Sequence, residues 1–181
     1  QAPTGSNAQG WQFVFVTDAK KKEQIGDIYQ QAFEIYRDMP VAIHKLHKES
    51  GDDSLIDSQT RSASSADYLA DNMARAPVLF IPCIAGRTDS EATSNIIAQT
   101  GTLGSIIPAA WNFMLAARAR GLGTAWTTLH LMQEKAVADI IGIPYDDYMQ
   151  IALIPIAYTK GTDFKKAYRP SVDTVMHFNE W

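Results

Sequence analysis

Cysteine is almost missing from this sequence. Cys83 is the only one in 181 residues, so no intrachain disulfide can form and a secreted disulfide scaffold is excluded. A reducing, cytoplasmic setting is the expectation that follows. Basic residues are in the minority, 16 Lys and Arg against 20 Asp and Glu for a formal charge of −4, and they form no long block. That balance argues against a surface built to release counterions from nucleic acid, and favours small-molecule partners. No apolar run reaches the ~20 residues of a bilayer span, because Arg118 and Arg120 interrupt the longest candidate. The opening Gln1-Ala2-Pro3-Thr4-Gly5 has neither the basic start nor the apolar stretch of a leader peptide. A phosphate-binding Gly-Lys-Ser/Thr loop is lacking too. Gly121-Leu122-Gly123 is no dinucleotide fingerprint, since Trp126 holds the third glycine position and the pair follows a helical stretch instead of opening one. No Ser/His/Asp set assembles from the sequence.

What is present describes an ordinary globular chain, 46% hydrophobic and 20% charged, read as a single domain over residues 1–181. Such a chain buries roughly 70% of its unfolded surface and needs no staple. Trp11 to Thr17 alternates Trp11, Phe13 and Phe15 with Val14 and Val16, which predicts a strand buried on both faces. Asp18 caps a helix to about Arg37, with Ile25, Ile28, Tyr29, Ala32, Ile35 and Tyr36 at helical spacing and Lys20 to Glu23 in water. A second helix is expected from Pro40. Ser50 to Ala66 is polar and serine-rich and reads as a mobile surface excursion or lid. Tyr68 to Arg75 follows as a short helix.

Val78 to Ala85 is a continuous apolar run suited to a central strand, although Pro82 cannot donate to a ladder. A loop over Gly86 to Gly101 leads to Ile106 through Ala117, where Asn112 is the only polar side chain. Pro108 fits the first turn of a helix there and Gly121 its end. A helix apolar nearly all round must be buried on every side, and a small chain rarely manages that alone, so a second subunit is the expected cover. A helix over about Gln133 to Ile141 and a buried strand from Tyr148 to Tyr158 follow. The tail, Val175 to Trp181, carries Phe178 and Trp181 and is expected to dock.

The candidate chemistry has plain competitors. His44 and His47, with Glu49 nearby, share a helical spacing, but Lys45 and Lys48 beside them favour a solvated face over a metal site, and no metal is assigned. Cys83, inside an apolar run, reads as an inert core residue. The opening segment is more informative. Pro3, Gly5, Ser6 and Asn7 would form a turn in any protein. Thr4, Ser6, Asn7 and Gln9 also present hydroxyl and amide groups in close succession, which suits a polyhydroxylated chain or a heteroaromatic edge.

That segment, Ala2 to Trp11, resembles the Pro-Ser-x-x-Asn-x-Gln-Pro-Trp motif of the FMN-dependent nitroreductase family, with Thr4 for Ser and Gly10 for the second Pro. Further likenesses follow in the family's order. Ala76-Pro77-Val78-Leu79 resembles its central strand, Ile106 to Gly123 its long interface helix ending Gly-Leu-Gly, and Trp126-Thr127-Thr128-Leu129 its flavin-facing loop. Tyr168-Arg169-Pro170 and Val175 to Trp181 resemble its phosphate-contacting segment and partner-wrapping tail.

The resemblance implies an α+β fold, with a nitroreductase-like mixed central sheet flanked by helices, in an intertwined homodimer with two FMN sites at the interface. It implies an FMN-dependent oxidoreductase that takes hydride from NADH or NADPH and passes electrons to a small-molecule acceptor such as a nitroaromatic or quinone. Pro3, Thr4, Gly5, Ser6, Asn7 and Gln9 would lie along the flavin, Trp126, Thr127, Thr128 and Leu129 would approach it from the other subunit, and Lys166 and Arg169 would meet the phosphate. No catalytic side chain is implied beyond the flavin. The family's leading Arg-Arg-Ser-x-Arg-like grip is not in this chain, and Tyr168 stands where members often carry a basic residue. A reductive dehalogenase or flavin-modifying relative, and a non-catalytic flavin-binding protein, are the alternative readings.

Overall fold

The computed structural model describes residues 1–181. Its scaffold is a five-stranded sheet with helices on both faces. The strands are β1 (Trp11–Val16), β2 (Val78–Ala85), β3 (Leu122–Thr124), β4 (Tyr148–Gln150) and β5 (Ile154–Tyr158), and the helices are α1 (Ala19–Asp38), α2 (Asp53–Asn72), α3 (Ile96–Arg118) and α4 (Glu134–Ile141). The order is β1-β2-β5-β3, with β4 also on β2. Every strand pair is antiparallel, and the parallel element is an isolated bridge between Gly86 and Tyr148. No helix is long and apolar enough to cross a membrane.

The central run behaves as its composition demands. Leu79, Ile81 and Cys83 of β2 point into one core with Ile25, Tyr29 and Phe33 of α1, Ala70 of α2 and Val137 of α4. Phe80 and Ile84 point the other way, toward two smaller clusters under α3. Pro82 is tolerated because it sits opposite the break between β4 and β5. Its carbonyl accepts from Ile151 N, and the donor it lacks has no strand to meet there. Cys83 is buried, and burial pushes its thiol up to about 12, assisted by the charge of Glu134, so it stays protonated and inert.

Several expectations from the sequence are corrected. The expected strand from Tyr148 to Tyr158 is two strands with Ile151 to Leu153 between them: Ile151 N still donates to Pro82 O, and Leu153 pairs with Thr127 in the register of the β3–β5 ladder. Pro40 opens no helix. Residues 40–50 form successive turns, held by Ile43 N donating to the Tyr36 hydroxyl and Lys45 Nζ to Asp38 O. The excursion expected over Ser50 to Ala66 is instead the body of α2, capped by Asp52, whose carboxylate accepts from Ser54 N and Leu55 N. Its helical period was hidden because the most inward positions are Ser58, Ala66 and Ala70, which are not hydrophobic enough to mark a face. For the same reason the expected short helix at Tyr68 is only its last turn. Lys22 does not simply face water, since its ammonium donates to Ala76 O and Pro77 O and ties α1 to the start of β2.

Helix α3 starts ten residues earlier than Ile106, at Ile96, with Asn95 as its cap, so Pro108 lies in its interior. One stripe, Ile106, Ala110 and Ala117, is buried. The opposite stripe, Ile107, Trp111 and Leu115, is left 42%, 53% and 52% exposed. Strand β1 is likewise buried on one face only. Val16 enters the main core, while Phe13 and Phe15 remain 41% and 50% exposed, with Phe15 stacked on Phe80 at 4.8 Å. The tail stays exposed, Phe178 and Trp181 included, with His177 stacked on Trp181 at 4.8 Å.

The turn before α4 buries a histidine completely. His130 has no partner at either ring nitrogen, and burial lowers its pKa to about 3. The unfolded chain titrates this group near ~6.5. Between these values the unfolded state binds the extra proton, so stability is complete above ~6.5 and declines as pH falls through the window, by about 1.4 kcal/mol per pH unit. Thermal melts should therefore show a wild-type loss between about pH 7.5 and pH 5 that is smaller by about 2 kcal/mol in His130→Leu; equal losses in the two proteins would place the acid sensitivity elsewhere.

Candidate functional site

The break in the sheet creates the site. Where β4 ends and β5 has not begun, Leu153 is bonded to Thr127 on both sides: Thr127 N donates to Leu153 O at 3.2 Å and Leu153 N to Thr127 O at 2.8 Å. The Thr127 hydroxyl adds a third bond to Leu153 O at 2.5 Å. These bonds hold residues 125–129 against the end of the sheet as the floor of a cavity of about 770 Å³. That volume lies in the range of small-molecule and cofactor sites.

Each wall comes from a different element. Helix α1 supplies Tyr29, Phe33 and Tyr36, one face at successive turns. Helix α2 supplies Ser58, Arg61, Ser62 and Ser65, with Leu69 beyond. The irregular segment after β5 supplies Lys165, Lys166 and Ala167 at the rim. Tyr168 N donates to Ser58 Oγ at 3.1 Å, which joins that segment to α2. Burial raises the Tyr29 phenol above its ordinary value, with the Thr127 side chain acting against the shift and Tyr36 adding to it, so Tyr29 is a neutral wall. Trp126 lies between floor and core, packed against both clusters under α3.

The residues singled out from the sequence fall into two groups. Trp126, Thr127, Thr128, Leu129 and Lys166 line the cavity together. Thr127 spends its hydroxyl proton on the sheet, whereas Thr128 has no hydrogen-bond partner for its side chain and is free to meet a ligand. Arg169 does not line the cavity; its guanidinium is exposed and donates to Tyr168 O at 2.6 Å. Pro3, Thr4, Gly5, Ser6, Asn7 and Gln9 do not line it either. Their turn sits on α3, where Gly5 N donates to Ser105 Oγ at 3.0 Å.

That turn is strained. Ser6, Asn7 and Gln9 have φ of 52°, 54° and 52°, a left-handed conformation that non-glycine residues adopt rarely and at a cost of about 1–3 kcal/mol each. Thr4 Oγ1 accepts from Gln9 N at 3.1 Å, and Gln9 Nε2 donates to Asn7 Oδ1 at 2.9 Å. The strain brings the polar side chains onto an exposed knuckle. Sequence reasoning missed the α1 and α2 walls. Tyr29, Phe33 and Tyr36 carried only a core signal, and Arg61 sat in a segment read as an excursion. The histidines do not combine. His44 Nε2 meets Asp67 Oδ1 at 2.9 Å, with Arg37 on the same carboxylate oxygen, and His47 lies in the turns before α2.

Comparison with known proteins bears on the fold and the family. No curated protein sequence matches the chain. Among solved structures it is similar to a BluB-like flavoprotein from Clostridium difficile 630, with a TM-score of 0.68 and 20% identity over 99% of this chain and 84% of that one. It is also similar to an iodotyrosine deiodinase bound to FMN and 3-iodo-L-tyrosine, with a TM-score of 0.66 and 18% identity over 100% and 82%. The FMN- and NADPH-dependent nitroreductase NfnB from a Sphigopyxis strain gives a TM-score of 0.62 and 16% identity over 100% and 85%. At these identities the likeness concerns the fold. The model of the Nitroreductase family matches residues 1–158, and the chain belongs to that family of flavin-dependent oxidoreductases.

Proposed function

We propose that the protein is an FMN-dependent NAD(P)H oxidoreductase that reduces nitroaromatic or quinone-type acceptors, and that it works as a homodimer. The observation that carries this reading is the cavity on the Thr127–Leu153 floor, which gathers four residues of the family's flavin-facing loop with Lys166 and three aromatic side chains. Its contents fit a flavin mononucleotide: flat apolar walls for a heteroaromatic ring, a free Thr128 hydroxyl for its polar edge, and cations at the rim for a phosphate. Bound there, FMN supplies the redox chemistry, accepting hydride from NADH or NADPH and passing electrons to the acceptor. The chain's own part is to hold and shield. Trp126 and the α1 aromatics exclude water, the Thr127 bonds fix the height of the floor, and Lys166 offers charge at the rim.

The second group of residues gives the dimer a purpose. The knuckle of Ser6, Asn7 and Gln9 is mounted on α3, the same helix whose Ile107, Trp111 and Leu115 stripe is uncovered. Covering that stripe with a second copy brings a foreign surface next to the knuckle, so a flavin held between two chains meets the floor of one and the knuckle of the other. Exposed apolar stripes of this kind are uncommon on monomers, and an isologous contact satisfies both copies at once.

The purified protein should be yellow, its colour should bleach with NADH or NADPH and return on addition of a nitroaromatic or quinone. A yellow protein that neither nicotinamide bleaches would make it a flavin-binding protein without this turnover. Sedimentation at micromolar concentration should give a dimer, and Trp111→Glu, which places a charge on the uncovered stripe, should give monomer or aggregate; a monomeric wild type would remove the shared-site reading. Asn7→Gly should weaken FMN binding by about 1–3 kcal/mol with little change in melting temperature, as its side chain bonds only to Gln9 and glycine accepts the left-handed backbone at this position. Unchanged flavin affinity would take the knuckle out of the site.

A further inference from the structure

The chain carries a net negative charge, yet no Asp or Glu lines the cavity, which receives Arg61, Lys165 and Lys166. A random sample of this surface would bring carboxylates with its cations. The placement of Arg61 is built in. Ser58, Arg61, Ser62 and Ser65 recur at helical spacing along one face of α2, and the bond from Tyr168 N to Ser58 Oγ lays residues 165–168 beside the same turn. Lys166, two residues before the anchored amide, thereby lines the same cavity as Arg61, which lies one turn along from Ser58. Neither lysine has a carboxylate partner within ion-pair distance, and Arg61 has only Asp57, a neighbour on its own helix. That carboxylate is 70% exposed, and such surface pairs are weak enough to give way to a better ligand. The serines leave the anion unopposed: the Ser62 hydroxyl donates to Ser58 O and the Ser65 hydroxyl to Arg61 O, so neither brings a formal charge.

We infer that Arg61, with Lys165 and Lys166, forms an anion seat at one end of the aromatic cavity, and that Arg61 determines the charge of what binds there. The inference rests on the flavin reading above and deepens it. A guanidinium offers paired donors to a phosphate or a carboxylate, while the lysines add point charge. The shared chemistry is a compact anion attached to a flat aromatic body, and it has two sources: the phosphate of FMN itself, or a carboxylate on the acceptor. In either case the dominant contact comes from α2, and Arg169, outside the cavity, is secondary.

Two matched pairs of probes separate the sources: FMN against riboflavin in equilibrium binding to the apoprotein, and 4-nitrobenzoate against 4-nitrobenzyl alcohol in steady-state KM. If the seat holds the phosphate, Arg61→Gln weakens FMN by about tenfold or more, the size of a lost charge-assisted hydrogen bond, and leaves riboflavin unchanged. If it holds the acceptor, both flavins bind as before and KM rises for 4-nitrobenzoate alone. In both cases Arg61→Lys recovers part of the loss. Should Arg61→Gln fail to fold, as riboflavin binding would reveal, Lys166→Gln is judged on the same pairs. Variants that treat the charged and uncharged members of both pairs alike overturn the seat and leave the flavin reading standing. A wild-type protein that binds neither FMN nor riboflavin overturns the flavin reading, and the seat with it.

Discussion

Three hydrogen bonds between Thr127 and Leu153 hold the molecule in the form its chemistry needs. The sheet is interrupted between β4 and β5, and an interruption at the centre of a buried sheet leaves backbone donors and acceptors without strand partners. On the β3 side Thr127 satisfies Leu153 in the register of the β3–β5 ladder: its amide and carbonyl pair with Leu153, and its hydroxyl takes the second lone pair of the same carbonyl. This bridge carries the β3–β5 register one pair beyond the strands and fixes the loop that follows, so that Thr128 and Leu129 line the cavity. Pro82 belongs to the same arrangement, since a residue without an N–H is suited to the place where the neighbouring ladder is open.

The central apolar runs were legible from the sequence because burial on both faces leaves a simple mark. Val78 to Ala85 is such a run; α1 was legible through its amphipathic period instead, Ile25, Ile28, Tyr29 and Ala32 recurring at helical spacing after a capped start at Asp18. Helix α2 was not legible. Its contacts are made by Ser58, Ala66 and Ala70, small residues that allow close approach without raising hydropathy, so its inward side looks as polar as its outward side. The break in the sheet was hidden for a related reason. Ile151, Ala152 and Leu153 are as apolar as the strands around them, and only the partner differs.

The candidate site divides along the same line. The floor could be found by motif, since Trp126 to Leu129 form one continuous stretch, and the knuckle by its run of small polar residues. The α1 wall could not, because Tyr29 and Phe33 belong at once to the main core and to the cavity, and one side chain cannot show two allegiances in a hydrophobic period. Arg61 carries no local signal. The role proposed for it rests on Ser58, one turn earlier, holding the backbone of Tyr168, a contact between residues 110 positions apart.

The strained knuckle and the uncovered stripe have one physical explanation between them. Three left-handed residues within four positions are a standing cost to a single chain, as are the exposed Phe13, Phe15 and Trp111. Neither is relieved within this chain. Thr4, Gln9 and Ser105 hold the knuckle in shape without removing its torsional strain, and the sheet covers only the inner side of α3. In the homodimer proposed above, both features would become properties of the assembly: apolar burial on the outer face of α3 would offset the strain and turn the side chains of Ser6 and Asn7 toward a neighbouring chain's cavity. A rigid knuckle is also the better binder, because polar side chains already fixed in place lose less conformational freedom when a ligand arrives.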